Sequence, residues 1–232
     1  MIIEKSLQLL LISNSFQPGL GLLEHAREEV KDFLQGVSSV VFIPYAQFDM
    51  DKATELSVNF LNSLGIKLES IHLSQDTQKT IENAEAFLVA GGNTFRLLDR
   101  LYQNNILEIL RSKILTGTPY LAASAGINIV APTIKTTNDM PIIQPTSFDA
   151  LNVLPFQINP HFVDSDPNST YMGENREERL HEFHQENDTL VVGLREGAWL
   201  GVQNGQIKIG GQNGAALFEK GKAKQEVRNN LL

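Results

Sequence analysis

A serine flanked only by small residues, Ala122-Ala123-Ser124-Ala125-Gly126, follows the run Pro119-Tyr120-Leu121 and precedes Ile127-Asn128-Ile129-Val130. A buried strand that turns sharply into a helix at this serine lifts the hydroxyl clear of the sheet. The amide of Ala125 then opens the helix, where it can donate to a developing oxyanion. Ala123, Ala125 and Gly126 leave that turn room to close. A buried serine satisfied by a nearby carbonyl has the same local pattern, so Ser124 as nucleophile stands or falls with its partners elsewhere.

Serine becomes nucleophilic near neutral pH when a base accepts its proton, and histidine is the usual base. Of the five histidines, His25, His181 and His184 fall on predicted helices among polar neighbours and read as surface residues. His72 lies in a charged strand and reads as structural or exposed. His161 ends the predicted strand Gln157-Ile158-Asn159-Pro160-His161-Phe162, before a turn-rich loop, where an imidazole can project into a site. The third member should be a carboxylate that fixes the imidazole tautomer. Glu196, at a strand end, and Asp139, in the polar loop after the serine, both qualify, and spacing leaves the choice open. The Gly91-Gly92 turn lets backbone amides approach a ligand closely and is a candidate second half of an oxyanion hole. It lacks the G-x-G-x-x-G spacing of a dinucleotide site and the lysine of a phosphate loop. His181 and His184 form no HExxH pattern, so no metal site is expected.

The elements around these residues alternate. Leu7–Ile12, Ser38–Pro44, Lys67–Leu73 and Ala86–Ala90 read as strands, with Lys67–Leu73 nearer an edge. Leu22–Leu34, Asp49–Leu64, Thr77–Asn83 and Phe95–Tyr102 carry helical spacing. This order predicts an α/β fold, a doubly wound, mostly parallel sheet with helices on both faces. Ligands gather at the carboxyl ends of such strands, where Ser13-Asn14-Ser15, Pro44-Tyr45, Gly91-Gly92-Asn93-Thr94 and Ser124 all fall. Beyond Val130 come a polar loop, the His161 strand, a helix over about 174–185, and short strands at Leu190–Leu194, Ala198–Gln203, Gln206–Ile209 and Ala215–Phe218. Asn-Gly and Gly-Gly turns predict antiparallel strands near the C-terminus. A single domain over 1–232 is expected, with about 220–232 a loose tail.

The chain of 232 residues has a formal charge of −8 and no cysteine. That balance argues against nucleic acid or an anionic membrane surface as partner, and the absence of cysteine excludes thiolate catalysis and disulfides. Met1-Ile2-Ile3-Glu4-Lys5 is unlike a signal peptide, and Leu7–Ile12 is too short for a membrane span. The charge says little about a small substrate, and a cytoplasmic enzyme or binding protein is expected.

Taken together, Asn93-Thr94-Phe95 after the glycine pair, Ser124-Ala125-Gly126, the segment 132–142, Phe148-Asp149-Ala150-Leu151, the His161 strand and Glu196-Gly197-Ala198-Trp199 resemble the peptidase E family. These are the α-aspartyl dipeptidases of peptidase family S51, related in fold to class I glutamine amidotransferases. The resemblance runs from Leu9 to Gly211, and the 132–142 segment is its most specific part. It implies hydrolysis of dipeptides with an N-terminal aspartate, by an acyl-enzyme on Ser124 with His161 as base and no cofactor. The family has been described with an acid at either Asp139 or Glu196 in the relay. Glu196, with its longer stem, is favoured, and Asp139 would then organise the site. Gly92 and Ala125 would hold the oxyanion. Arg176 matches the arginine of the family's Gly-Glu-Thr-Arg segment, with Asn175 in place of the threonine, and would bind the aspartate side chain. Glu174 would meet the substrate's amino group, and Asn93 would also contact substrate. A monomer or weak homodimer is expected. A cyanophycinase-like hydrolase of aspartate-containing polymer, or a binding module without turnover, is the rival reading.

Overall fold

The computed structural model describes residues 3–166, 168, 170 and 172–228. The first part of the chain alternates as its spacing predicts: β1 (Leu9–Ile12), α1 (Arg27–Phe33), β2 (Ser39–Ile43), α2 (Met50–Asn62), β3 (Lys67–Ser70), α3 (Thr77–Glu82), β4 (Phe87–Val89) and α4 (Thr94–Gln103). There follow α5 (Leu107–Leu115), β5 (Tyr120–Ala123), α6 (Ala125–Asn128), β6 (Gln157–Phe162) and α7 (Arg176–Glu186). The last strands are β7 (Val191–Arg195), β8 (Ala198–Gln203), β9 (Gln206–Gly211), β10 (Ala215–Phe218) and β11 (Gln225–Val227). Seven strands form one sheet in the order β3-β2-β4-β5-β1-β8-β9, and four form a second, β11-β10-β7-β6. In the larger sheet β3, β2, β4, β5 and β1 pair in parallel, while β8 and β9 are antiparallel.

Side chains alternate across a strand, and both faces of the parallel strands are apolar. Leu9, Leu11, Val41, Ile43, Phe87, Val89, Tyr120 and Ala122 point into one core, with α4, α5 and α6 over them. Leu10, Ile12, Val40, Phe42, Leu88, Leu121 and Ala123 point into another, under α1 and α2. Coverage of both faces explains why these strands read as continuous apolar runs. In the second sheet Val192 and Leu194 join the first core, while Val191 packs with Phe162, Leu180 and Phe218 under α7.

The order β4-β5-β1 sets three strand ends side by side, so the Gly91-Gly92 turn, Ser124 and Ser13-Asn14-Ser15 become neighbours. Helix α4 starts at once because Asn93 caps it, its side chain accepting from the Arg96 amide at 3.1 Å.

Several elements differ from the sequence reading. The Leu22–Leu34 segment opens with a 3-10 turn at Glu24–Ala26, and only then becomes α1. Strand β3 stops at Ser70, and Ile71–Leu73 form another 3-10 turn. There Ser70 Oγ meets His72 Nδ1 at 2.7 Å and His72 Nε2 meets Asp51 at 3.0 Å, local bonds that compete with the ladder. Helix α6 has four residues, since the chain must leave the helical region before Pro132. Helix α5 was not foreseen. The last strands pair antiparallel as expected, β8 with β9 and β7 with β10, while β6 joins β7 in parallel across the helical crossover α7. Strand β11, bonded to β10, lies inside the stretch expected to be a loose tail; residues 229–232 lie outside the described part.

Two histidines expected at the surface are enclosed instead. His184 is buried on the inner side of α7, its Nε2 at 3.1 Å from the Thr189 carbonyl oxygen. Both ring nitrogens of His25 are enclosed without a hydrogen-bond partner among the described residues, and burial lowers its pKa, opposed by the Glu29 and Glu196 carboxylates. In each case polar neighbours in sequence concealed a ring turned toward the protein. No helix among the described residues is long and apolar enough to cross a membrane.

Candidate active site

Ser124 has φ 52° and ψ −113°, a region disfavoured for a residue with a Cβ. Packing holds it there. Ser124 N–H donates to the Ile12 carbonyl at 3.2 Å, and the Ser124 carbonyl accepts from Ile127 N–H at 2.9 Å. Gly126 is pressed between strands: a Cβ there would lie 2.8 Å from the Val89 carbonyl oxygen and 3.0 Å from Ala122 Cβ. The Tyr120 hydroxyl, fully buried and with its pKa raised by desolvation, donates to the Gly126 carbonyl at 2.7 Å. The small residues around Ser124 are therefore a packing requirement of the turn.

His161 comes from the second sheet. The register of β6 against β7 shifts between Asn159 and Phe162, and His161 has φ 52°. This bulge re-aims the side chain. His161 N–H donates to Ser13 Oγ at 2.9 Å, while Ser13 Oγ–H donates to the Leu194 carbonyl at 2.8 Å. One buried serine thus ties the end of β1 to β6 and β7. The Asn138 side chain donates to the Pro160 carbonyl at 2.7 Å. His161 Nε2 lies 2.9 Å from Ser124 Oγ, and His161 Nδ1 lies 2.7 Å from Glu196 Oε1. With Glu196 ionised, Nδ1–H donates to it and Nε2 is left to accept the serine proton.

Glu196 sits in the β7–β8 turn, with its side chain 52 % exposed. The turn is pinned from two sides. Gly197 N–H donates to Asn14 Oδ1 at 2.8 Å, and the Asn213 side chain donates to the Glu196 carbonyl at 2.7 Å. Ser13 and Asn14 hold the histidine and the acid in place. Sequence reasoning gave them a location but no task; their signal was a pair of polar residues at the end of a wholly apolar central strand.

Asp139 does not reach His161. Its Oδ2 accepts from Thr94 N–H at 2.7 Å and from Thr94 Oγ1 at 2.6 Å. It therefore clamps the first turn of α4, next to Gly92. Thr94 Oγ1 also accepts from Thr137 at 3.0 Å and from the Asn128 side chain at 3.3 Å, which links the clamp to α6. Asn93 spends its side chain on the cap and on the Met140 carbonyl, to which it donates at 2.8 Å.

Gly91 and Gly92 bring backbone beside Ser124. A Cβ on Gly91 would lie 2.8 Å from Ser15 Oγ and 3.1 Å from Ser124 Cβ; one on Gly92, at φ 137°, would lie 2.5 Å from the Ala46 carbonyl oxygen. Among the described residues, the amides of Gly92 and Ala125 donate to no internal acceptor. That leaves both available to an oxyanion.

Arg176 opens α7, behind Asn175, whose side chain forms a capping box with Glu178. It is half-buried and makes no ion pair among the described residues. Burial lowers its pKa, as does Arg179, while Asp139 opposes the shift. Arg176 and Glu174 line a cleft of about 710 Å³ that also reaches Val163 and Asp164. Glu174 is 3.7 Å from Arg179. The predicted turn-rich loop 164–173 lies partly outside the described residues.

In the lining of this cleft, Asp164 accepts two hydrogen bonds from Arg195 at 2.6 and 2.8 Å and one from Lys224 at 3.1 Å. Glu226 also accepts from Arg195, at 2.9 Å. The hydrogen bonds from Arg195 lower the Asp164 pKa from 3.8 to about 2. A carboxyl depressed on folding contributes stability above its ordinary pKa and loses it as pH falls toward the folded value. The melting temperature is expected to drop between about pH 4 and pH 2, and Asp164→Asn should flatten that part of a thermal-melt series. Asp164 is 44 % exposed, so the effect should be modest.

Comparison with known proteins identifies the family. The profile of Peptidase family S51 matches residues 9–210. A Peptidase E of Streptomyces coelicolor is 47 % identical over 221 residues, 95 % of this chain and 91 % of that one. A Peptidase E of Salmonella heidelberg is 43 % identical over 218 residues, 93 % and 95 % of the two chains. A Drosophila melanogaster protein named probable alpha-aspartyl dipeptidase is 41 % identical over 222 residues, 94 % and 92 %. In fold, the chain is similar to a putative peptidase E protein from Listeria monocytogenes, with TM-score 0.68 at 23 % identity over 89 % of this chain and 98 % of that one. It is similar also to a peptidase from an acI-B1 Actinobacterium, with TM-score 0.69 at 14 % identity over 97 % and 96 %. With that profile matched over most of its length and relatives 41 to 47 % identical across it, the chain belongs to peptidase family S51.

Proposed function

We propose that this serine-type dipeptidase removes aspartate from the N-terminus of dipeptides by acyl transfer through Ser124. The observation that carries the proposal is the continuous contact of Ser124, His161 and Glu196, at 2.9 and 2.7 Å. Ser124 Oγ attacks the peptide carbonyl carbon while its proton passes to His161 Nε2, and Glu196 stabilises the imidazolium. The carbonyl oxygen, now negative, is held by the amides of Ala125 and Gly92. Collapse breaks the C–N bond, and the amine of the second residue leaves with the proton from His161. Water, deprotonated by the same imidazole, then releases aspartate and restores the serine.

Asp139 organises the site in this reading. Its bonds to Thr94 fix the start of α4 and with it the amide of Gly92. Arg176 receives the aspartate side chain, since a guanidinium binds a carboxylate with two parallel hydrogen bonds. Glu174 would meet the substrate's amino group. The names of the Streptomyces, Salmonella and Drosophila relatives support the same activity. The assembled nucleophile and base speak against a binding module without turnover, and the match to these dipeptidases speaks against a polymer hydrolase.

The test of substrate recognition is Arg176→Ala. With Asp-Leu as substrate, kcat/KM is expected to fall by about 100-fold, as for loss of a charge-assisted pair. Arg176→Lys should recover only part of it, because an ammonium lacks the planar fork. Unchanged kinetics would remove Arg176 from the pocket.

A further inference from the structure

A second cavity, of about 410 Å³, adjoins the serine on the face of the sheet covered by α2. Its inner wall includes Phe42, Leu88 and Ala123, and its outer wall Phe16, Phe48 and Leu56. None of these six residues has a role in the reaction as described. Phe16 is 52 % exposed, Phe48 84 % and Leu56 41 %, so large apolar groups stand open to solvent around one opening. An apolar hollow with a few polar groups at one end is the usual form of a small-molecule subsite.

Its position relates it to the chemistry. Ala123 immediately precedes Ser124, and both Gly91 and Ser15 belong to the lining. A Cβ on Gly91 would lie within 3.1 Å of Ser124 Cβ, so the cavity begins on the far side of a single glycine from the nucleophile. Gln47, also in the lining, donates to the Gly91 carbonyl at 2.5 Å and fixes that boundary. The Arg176 cleft is instead lined by Val163, two residues after His161 in sequence. The charged cleft thus shares the chain that leaves His161, while the apolar cavity shares the residues that flank Ser124.

We infer that the apolar cavity is the subsite for the side chain of the second residue of the substrate, with a large aliphatic or aromatic side chain preferred. This rests on the dipeptidase reading and adds to it the identity of the residue that leaves. A dipeptide has two side chains, and the aspartate carboxylate is matched by Arg176, not by Phe42 or Leu88. Lys52, the one cation in this lining among the described residues, supplies a charge for the free carboxylate of the same residue. Its neighbour Asp49 is committed to capping α2, accepting from the Lys52 amide at 2.9 Å.

Steady-state kinetics with Asp-Leu, Asp-Ala and Asp-Leu amide test the inference, on the unmodified chain, Ala53→Trp and Lys52→Met. Ala53 lies in the lining on α2, and an indole there would fill the cavity. The unmodified chain should favour Asp-Leu over Asp-Ala in kcat/KM by about ten- to a hundredfold, the range for several methylenes in an apolar pocket. Ala53→Trp should bring that ratio to about one. If circular dichroism shows that Ala53→Trp does not fold, Leu56→Trp at the opening replaces it, with the same expectation. Lys52→Met should abolish most of any preference for Asp-Leu over its amide. A ratio within about twofold in the unmodified chain, or one that neither tryptophan alters, would overturn the subsite while leaving the dipeptidase standing. So would a dimer in sedimentation that Ala53→Trp dissolves without changing the ratio, which would give the cavity to a second copy of the chain. Absence of cleavage of any Asp-Xaa peptide would instead sink the parent reading, and the subsite with it.

Discussion

Ser124→Ala is expected to lower kcat for Asp-Leu by at least about 10⁴-fold, with the fold and its stability nearly intact. The variant keeps a Cβ, so the backbone at φ 52° and ψ −113° bears the same strain as before. It loses only the oxygen 2.9 Å from His161 Nε2. In the proposed mechanism that oxygen is the nucleophile, and no other hydroxyl among the described residues meets the imidazole. The amides of Gly92 and Ala125 remain, so residual turnover above the uncatalysed rate is expected, as when a nucleophile is removed but the oxyanion site persists. Binding of Asp-Leu by calorimetry should change little. Turnover within tenfold of the unmodified enzyme would show that the serine does not carry the reaction.

The second large effect separates the two acids. Glu196→Gln is expected to lower kcat by about 10³-fold, and Asp139→Asn by about ten- to thirtyfold. A glutamine at 196 offers His161 Nδ1 either a donor NH₂ or a neutral acceptor. In the first case the proton moves to Nε2, which then cannot accept from Ser124; in the second the imidazolium loses its counter-charge. The 52 % exposure of the glutamate places the expected loss below that of a fully buried acid, since water can replace part of the interaction. Asp139 acts at a remove. Asparagine there still accepts from Thr94 but without the charge that shortens those bonds to 2.7 and 2.6 Å. Loosening the start of α4 should displace the Gly92 amide slightly and cost stability as well as rate. Equal and large losses in both variants, with no change in melting temperature for Asp139→Asn, would return Asp139 to the relay.

The parallel half of the fold was legible because burial on both faces leaves continuous apolar runs and the helices between them carry a clear stripe. Leu9–Ile12, Ser39–Ile43 and Tyr120–Ala123 all lie within the predicted strands. Boundaries were lost where side chains compete with the backbone, as Ser70 and His72 do at the end of β3. The surface assignments of His25 and His184 failed for another reason: their neighbours in sequence are polar, but burial is set by what packs against one side of a helix or turn. The site was legible as residue types at strand ends. It was not legible as geometry. Glu196 and Asp139 are both acids in polar turns, and only the three-dimensional arrangement puts one 2.7 Å from His161 and the other on Thr94. Ser13 and Asn14 show the same limit, because their partners lie 148 and 183 residues away in sequence.

The central claim is a serine peptidase that reads an N-terminal aspartate. Its most direct test is the rate of hydrolysis of Asp-Leu beside Ala-Leu, Glu-Leu and Asn-Leu, with Ser124→Ala as control. The account predicts cleavage of Asp-Leu, loss of that cleavage in the variant, and rates at least about 100-fold lower for the other three peptides, as expected when a charge-reading pocket is left unpaired or misfitted. Cleavage of Ala-Leu or Asn-Leu as fast as Asp-Leu, or cleavage that survives Ser124→Ala, would contradict it.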